Sequence, residues 1–159
     1  MNPLICRELR SDDEIDAAFP LMSVLRPRVR RETFLSEVRL QREQGYELVG
    51  AFSEGRLVAL AGVRRTHTLA RGPHLFVDDL VTEPDLNGRG HATELMRWLG
   101  TRALAEGIPR VYLDSRDTAR GFYEQLGLTF LTSIPCWIDS SALAAGDPSP
   151  AGDRAQGAR

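Results

Sequence analysis

The sequence has little that would tie it to redox chemistry, metals, membranes or nucleic acid. Its two cysteines, Cys6 and Cys136, form no C-x-x-C pair and have no zinc spacing. Both lie in apolar, strand-like stretches, where a thiol is expected to serve as a small buried hydrophobe. Three histidines, His67, His74 and His91, stand without metal-ligand spacing, so no metal is expected. No apolar run approaches the roughly 20 residues that span a bilayer. The start, MNPLICREL, has no basic stretch leading into an apolar one and does not read as a signal peptide, so a cytoplasmic protein with no membrane partner is expected. A net charge of −2 supplies no global attraction to nucleic acid, which is not expected as a partner. One local basic cluster exists, Arg26, Arg28, Arg30 and Arg31, and it reads either as a solvated loop or as a rim for an acidic substrate.

What is present is an ordinary globular composition, 42% hydrophobic and 26% charged over 159 residues. A chain of this length makes one domain and buries about two-thirds of its unfolded surface without a disulfide or metal. The expected domain covers residues 1–139. Residues 140–159, rich in Ala, Gly, Ser, Pro, Asp and Arg and without apolar periodicity, read as a disordered tail.

Along the chain, residues 4–9 read as a strand, and Ser11-Asp12-Asp13-Glu14 as a capping box opening a helix that Pro20 kinks or breaks. A second helix is expected over 31–44, burying Phe34, Leu35 and Val38. Strands at 46–53 and 57–65 flank a Glu54-Gly55 turn. Residues 66–73 read as a loop and 74–82 as a longer strand. An arm at 83–87 leads through glycines into a helix that lasts to about residue 106. A short strand at 110–114, a helix at 118–126 and a strand pair around 129–138 follow, with Trp137 in the core. This order, β-α-α-β-β-β-α-β-α-β, points to an α+β domain with a mixed sheet and helices packed on its faces, not to a doubly wound parallel sheet.

The most informative stretch is Asn87-Gly88-Arg89-Gly90-His91-Ala92, between that strand and arm and the helix. Helix starts carry unpaired N–H groups and partial positive charge, and glycines let an anion approach them. Alone, a glycine pair before a helix fits an ordinary turn better than a phosphate site. A Walker loop requires Gly-Lys-Ser/Thr, and here Gly90 is followed by His91-Ala92. A dinucleotide fingerprint requires a third glycine where Thr93 stands, and a strand running straight into the turn.

A third pattern fits better. The segment resembles motif A of the GNAT superfamily of N-acetyltransferases, Arg/Gln-x-x-Gly-x-Gly/Ala, with Gly90 and Ala92 at the last two specified positions and Asn87 replacing the first residue. Val77-Asp78-Asp79-Leu80-Val81-Thr82 resembles the family's bulged fourth strand. Ala119-Arg120-Gly121-Phe122-Tyr123-Glu124-Gln125-Leu126-Gly127-Leu128 resembles its motif B, with Arg116 where an Asn is frequent. The likeness spans residues 4–138.

The resemblance implies a mostly antiparallel mixed sheet with a splayed central strand pair, and acetyl-CoA as co-substrate. The cofactor would lie along Leu80, Val81 and Thr82, with its pyrophosphate on Asn87, Gly88, Arg89, Gly90, His91, Ala92 and Thr93. Arg116 offers a further phosphate contact. Amine attack on a thioester calls for a base and an acid. Tyr123 occupies the position of the family's general acid; an aromatic packed on the sheet is its structural alternative. Asp78 and Asp79 are the base candidates, Asp78 by position. Adjacent strand residues point to opposite faces unless a bulge reorients them, and either Asp could instead bond backbone amides. The acceptor implied is a primary amine of a small molecule or amino acid. Acylation of a protein Lys or N-terminus, and a non-catalytic acyl-CoA-binding module, are the alternatives. A homodimer is an expectation from the family alone.

Overall fold

A computed structural model describes residues 3–146; of the tail expected at 140–159, residues 147–159 lie outside the described residues, whereas Ser140–Ala145 form a short helix. The elements run β1 (Ile5–Glu8), α1 (Asp12–Ala17), α2 (Phe19–Leu25), α3 (Arg31–Glu43), β2 (Tyr46–Ser53), β3 (Arg56–Thr68), β4 (Gly72–Thr82), α4 (His91–Ala105), β5 (Val111–Leu113), α5 (Arg120–Gln125) and α6 (Ser140–Ala145). Short 3-10 turns occupy Pro84–Leu86 and Asp117–Ala119. No helix among the described residues is long and apolar enough to cross a membrane.

Two compact units divide the chain after Arg120. The first holds a five-stranded sheet in the order β1-β2-β3-β4-β5, antiparallel except for β4 and β5, which run parallel. One face, carrying Leu48, Leu60 and Val81, packs against Ile15, Leu21, Met22, Phe34 and Val38 of α1–α3. Alternate residues of the same strands, Val49, Ala61 and Val63, point the other way and are fully buried. Helix α4 packs on β2, β3 and β4 through Leu95, Leu99 and Ala103, which lie outside that first cluster. Helices on both faces thus enclose a mixed, mostly antiparallel sheet.

Local chemistry explains most boundaries. The Ser11 hydroxyl accepts from the Glu14 amide while the Glu14 carboxylate accepts from the Ser11 amide, closing the capping box that starts α1. Pro20 does not kink a helix but opens a new one, near the start of α2, where its missing donor is harmless.

Two expectations are corrected. The loop at 66–73 contracts, because Thr66, His67 and Thr68 continue the hairpin opposite His74, Pro73 and Gly72. Pro73 sits at the strand's first turn of ladder, where an absent N–H is tolerated. The strand pair around 129–138 does not form. Pro135 removes a donor there, and Leu131, Ile134, Trp137 and Ile138 are exposed, so the segment has neither a ladder nor a buried face. Trp137 is therefore not a core residue.

That segment belongs to the second unit, with most of α5 and the short helix α6. The cysteines also depart from expectation: Cys6 is half-buried on β1 and Cys136 is exposed in the same unpaired stretch.

Candidate functional site

Strand β4 is interrupted at its acidic pair. Gly62 lies opposite Asp79 while Val63 lies opposite Val77, so Asp78 is the extra residue of a bulge. On its other edge β4 pairs with β5 only at Leu75, Phe76 and Val77. From Asp78 to Thr82 that edge has no strand beside it among the described residues, leaving alternate backbone groups of Leu80, Val81 and Thr82 unladdered.

The bulge turns both carboxylates into one polar cluster, where a regular strand would have divided them between two faces. Asp79 Oδ2 accepts from the Tyr46 hydroxyl at 2.7 Å and Oδ1 from Arg26 Nε at 2.8 Å. Asp78 Oδ2 accepts from Arg64 Nε at 2.5 Å, and Arg64 Nη2 donates to Gln41 at 2.7 Å. The Arg64 guanidinium also lies 5.1 Å from the Tyr46 ring centroid, linking the two halves. Arg26 Nη2 donates to the Asp78 carbonyl at 2.8 Å, capping a backbone acceptor at the bulge.

Burial pushes the Asp78 carboxyl above the usual range, against the opposing pull of Arg64. Burial and the adjacent Asp79 charge push the Tyr46 phenol well above 10, so Tyr46 is a permanent donor. Gly62 makes the arrangement possible. A Cβ there would overlap the Tyr46 hydroxyl and stand 2.6 Å from Asp79 Oδ2.

The glycine turn has the opposite character. Gly88 and Gly90 hold φ values of +78° and +83°, left-handed backbone that glycine adopts without strain. Gly90 caps α4 with no side-chain hydrogen bond to the helix start. The amides of Gly88, Gly90, His91, Ala92 and Thr93 have no backbone acceptor among the described residues. A Cβ at Gly88 or Gly90 would meet nothing within 4 Å, so the turn faces open space. The Asn87 and Arg89 side chains are exposed. The result is a cluster of donors at the positive end of a 15-residue helix.

Two further expected site residues are Arg116 and Tyr123. Arg116 follows β5, and its Nη2 is 3.3 Å from the Leu25 carbonyl at the end of α2. Tyr123 belongs to the second unit, buried on α5 with its ring edge-on to Phe122 at 5.0 Å. Burial raises its phenol above the ordinary value, which keeps it protonated.

A family model described as the acetyltransferase (GNAT) family matches residues 9–128, three-quarters of the chain. The chain belongs to the GNAT family. It is an N-acetyltransferase, like a curated relative, the uncharacterized N-acetyltransferase YhdJ of Bacillus subtilis (strain 168). That relative is 29% identical over 129 residues, 77% of this chain and 90% of its own length. Among solved structures, an aminoglycoside N-acetyltransferase in complex with CoA superposes with a TM-score of 0.76 at 14% identity, covering 88% of this chain and 97% of that one. A ribosomal-protein-alanine N-acetyltransferase from Brucella melitensis superposes with a TM-score of 0.73 at 17% identity, covering 86% and 99%. At these identities the structural likeness speaks for the GNAT fold alone.

The GNAT bulge also contains residues that the sequence did not single out: Tyr46, Arg64, Gln41 and Gly62. Gly62 offered the one local signal, a glycine inside an otherwise apolar strand, which marks a bulge or a close backbone approach.

Proposed function

We propose that this N-acetyltransferase uses acetyl-CoA as its donor and acetylates the primary amine of a small molecule or amino acid by direct attack in a ternary complex. The observation that carries the reading is the open edge of β4 beyond the bulge, followed by a helix start whose amides lack acceptors. The fit to the donor rests on the same features. The unladdered backbone of Leu80, Val81 and Thr82 suits an extended amide-containing arm. The amides of Gly88, Gly90, His91, Ala92 and Thr93 suit a pyrophosphate, with Asn87 and Arg89 as secondary contacts. Acetyl-CoA supplies a thioester carbonyl to be attacked and a sulfur to depart.

The chain's own groups divide the remaining work. Both Asp79 oxygens are engaged, so Asp79 anchors the bulge, and Asp78 is the base. Of the Asp78 oxygens only Oδ2 has a partner among the described residues, and the group's raised proton affinity suits proton removal from an ammonium or a water. Tyr123, kept protonated by burial, is the acid that supplies a proton to the leaving sulfur.

Two experiments test this. Free thiol release from acetyl-CoA is measured against a panel of amines, amino acids and peptides; release with small amines or amino acids supports the reading. Tyr123→Phe is expected to lower kcat by about 10²-fold, the lower end of general-acid contributions, with little change in acetyl-CoA affinity. An unchanged kcat where chemistry limits the rate removes Tyr123 from the mechanism.

A further inference from the structure

The acidic pair at the bulge is largely committed, with only Asp78 Oδ1 left without a partner among the described residues. Asp79 bonds Arg26 and Tyr46, and Asp78 bonds Arg64. Two carboxylates set against two guanidiniums leave the bulge close to neutral.

The turn after α2 carries the opposite balance. Arg26, Arg28 and Arg30 fall within five residues. Arg26 commits Nε and Nη2 to β4 and leaves Nη1 without a partner among the described residues. Arg28 is exposed and makes no ion pair among the described residues. Arg30 reaches Glu32 only at 3.6 Å, and both side chains are more than 70% exposed, a contact worth little. Asp114 and Asp117 flank Arg116 in sequence, yet neither pairs with it among the described residues. Arg31, the cluster's last member, is already engaged by Asp16.

The position of this turn gives the charge a use. Arg26 grips β4 at the bulge, while the preceding carbonyl, that of Leu25, accepts from Arg116, three residues beyond the end of β5. The end of α2 is therefore tied to both strands just where they diverge. All these residues belong to the first unit.

We propose that the turn at residues 26–30 receives an anionic group of the acceptor, a carboxylate or a phosphate, so that the preferred substrate is a primary amine bearing a negative charge and not a polycation. The proposal rests on the small-amine reading above. The chain contains no lysine, so every fixed cation available is a guanidinium fork, whose planar donors match carboxylate and phosphate oxygens two at a time.

The test uses matched acceptors on the full chain: phenylalanine against phenethylamine, phosphoethanolamine against ethanolamine, and spermidine as a polycation. The anionic member of at least one pair is expected to show a kcat/KM about tenfold or more above its uncharged-tail counterpart, as for a charge-assisted hydrogen bond, and the pair that responds identifies the anion. In the Arg28→Ala/Arg30→Ala double variant, the preference is expected to collapse through a higher KM for the anionic member. Arg28→Lys/Arg30→Lys is expected to restore part of it. Spermidine or the neutral amines turned over as well as the anionic ones would overturn the proposal. So would a folded double variant that retains the preference. Absence of thiol release with every amine and peptide defeats the small-amine reading itself, and the proposal falls with it.

Discussion

The bulge of β4 and the turn before α4 lie ten residues apart, and they solve opposite problems. At the bulge, Arg26 just after α2, Tyr46 of β2 and Arg64 of β3 bond Asp78 and Asp79, Gln41 of α3 bonds Arg64, and three of the four carboxylate oxygens have partners among the described residues. Its shape is held before any ligand arrives. At the turn almost everything is backbone: two left-handed glycines, amides without acceptors and open space around them. Its donors are left for the anion that the proposed function places there. The side-chain region should therefore respond to deletion of side chains, and the backbone region to anything that alters glycine.

The largest effect is expected where charge is added to the backbone region. Gly90→Glu sets a carboxylate at the helix start, where it would compete with the proposed pyrophosphate for the same amides. Two like charges about 4 Å apart repel by about 4 kcal/mol at an effective dielectric of about 20, or roughly 10³-fold in affinity. Calorimetry with coenzyme A is expected to show that loss in a folded variant. Gly90→Ala, which adds strain without charge, is expected to lose far less. Wild-type affinity in the Glu variant would move the pyrophosphate site away from this turn.

The side-chain region is challenged by Asp78→Asn, expected to lower kcat by about 10²-fold, in the range of a general base. Its pH dependence separates a base from a structural carboxylate. Asp78 must be ionised to act, and burial has raised its proton affinity, so activity is expected to fall on acidification from above the ordinary carboxylate range. Arg64 opposes that rise. Removing it in Arg64→Leu is therefore expected to move the acidic limb to higher pH; with one acceptor throughout, the acceptor's own titration cancels. Stability runs the other way. Because the folded-state value is raised, the group's contribution is present below the ordinary carboxylate pKa and lost as pH climbs through the raised one. A limb that stays in place when Arg64 is removed would return Asp78 to a purely structural role.

The same division governs what the sequence could reveal. The capping box of Ser11 and Glu14 and the glycine turn are local, with every participant within a few residues; spacing marked the first, and the resemblance to motif A set the second apart from an ordinary turn. The family resemblance extended that reach to the sheet, its bulge and the position of Tyr123. The partners of the bulge were beyond it. Tyr46 and Arg64 meet Asp79 and Asp78, and Gln41 meets Arg64, only through strand register and helix packing, and Arg26 stood out as part of a basic cluster without any hint that it grips β4. The error at 129–138 has a related cause: apolar residues there match a strand in composition, but a strand also needs a ladder and a face to bury, and neither is present.

The smallest effect is expected at Asn87, and it bears directly on the comparison. Asn87 stands where the family pattern has Arg or Gln, and its side chain is exposed at the end of the 3-10 turn Pro84–Leu86. If the cradle is made of backbone, Asn87→Ala removes one neutral side chain and leaves every amide of Gly88 to Thr93 in place. A net neutral hydrogen bond is worth about 0.5–1.5 kcal/mol, and less at an exposed site, so coenzyme A affinity is expected to fall by no more than about threefold. Asn87→Arg restores the family's cation and is expected to tighten binding by a similar modest factor, with a salt dependence steeper than that of the wild type. A loss of tenfold or more in Asn87→Ala, measured by the same calorimetry, would mean that the turn relies on side chains after all, and the contrast with the bulge would disappear.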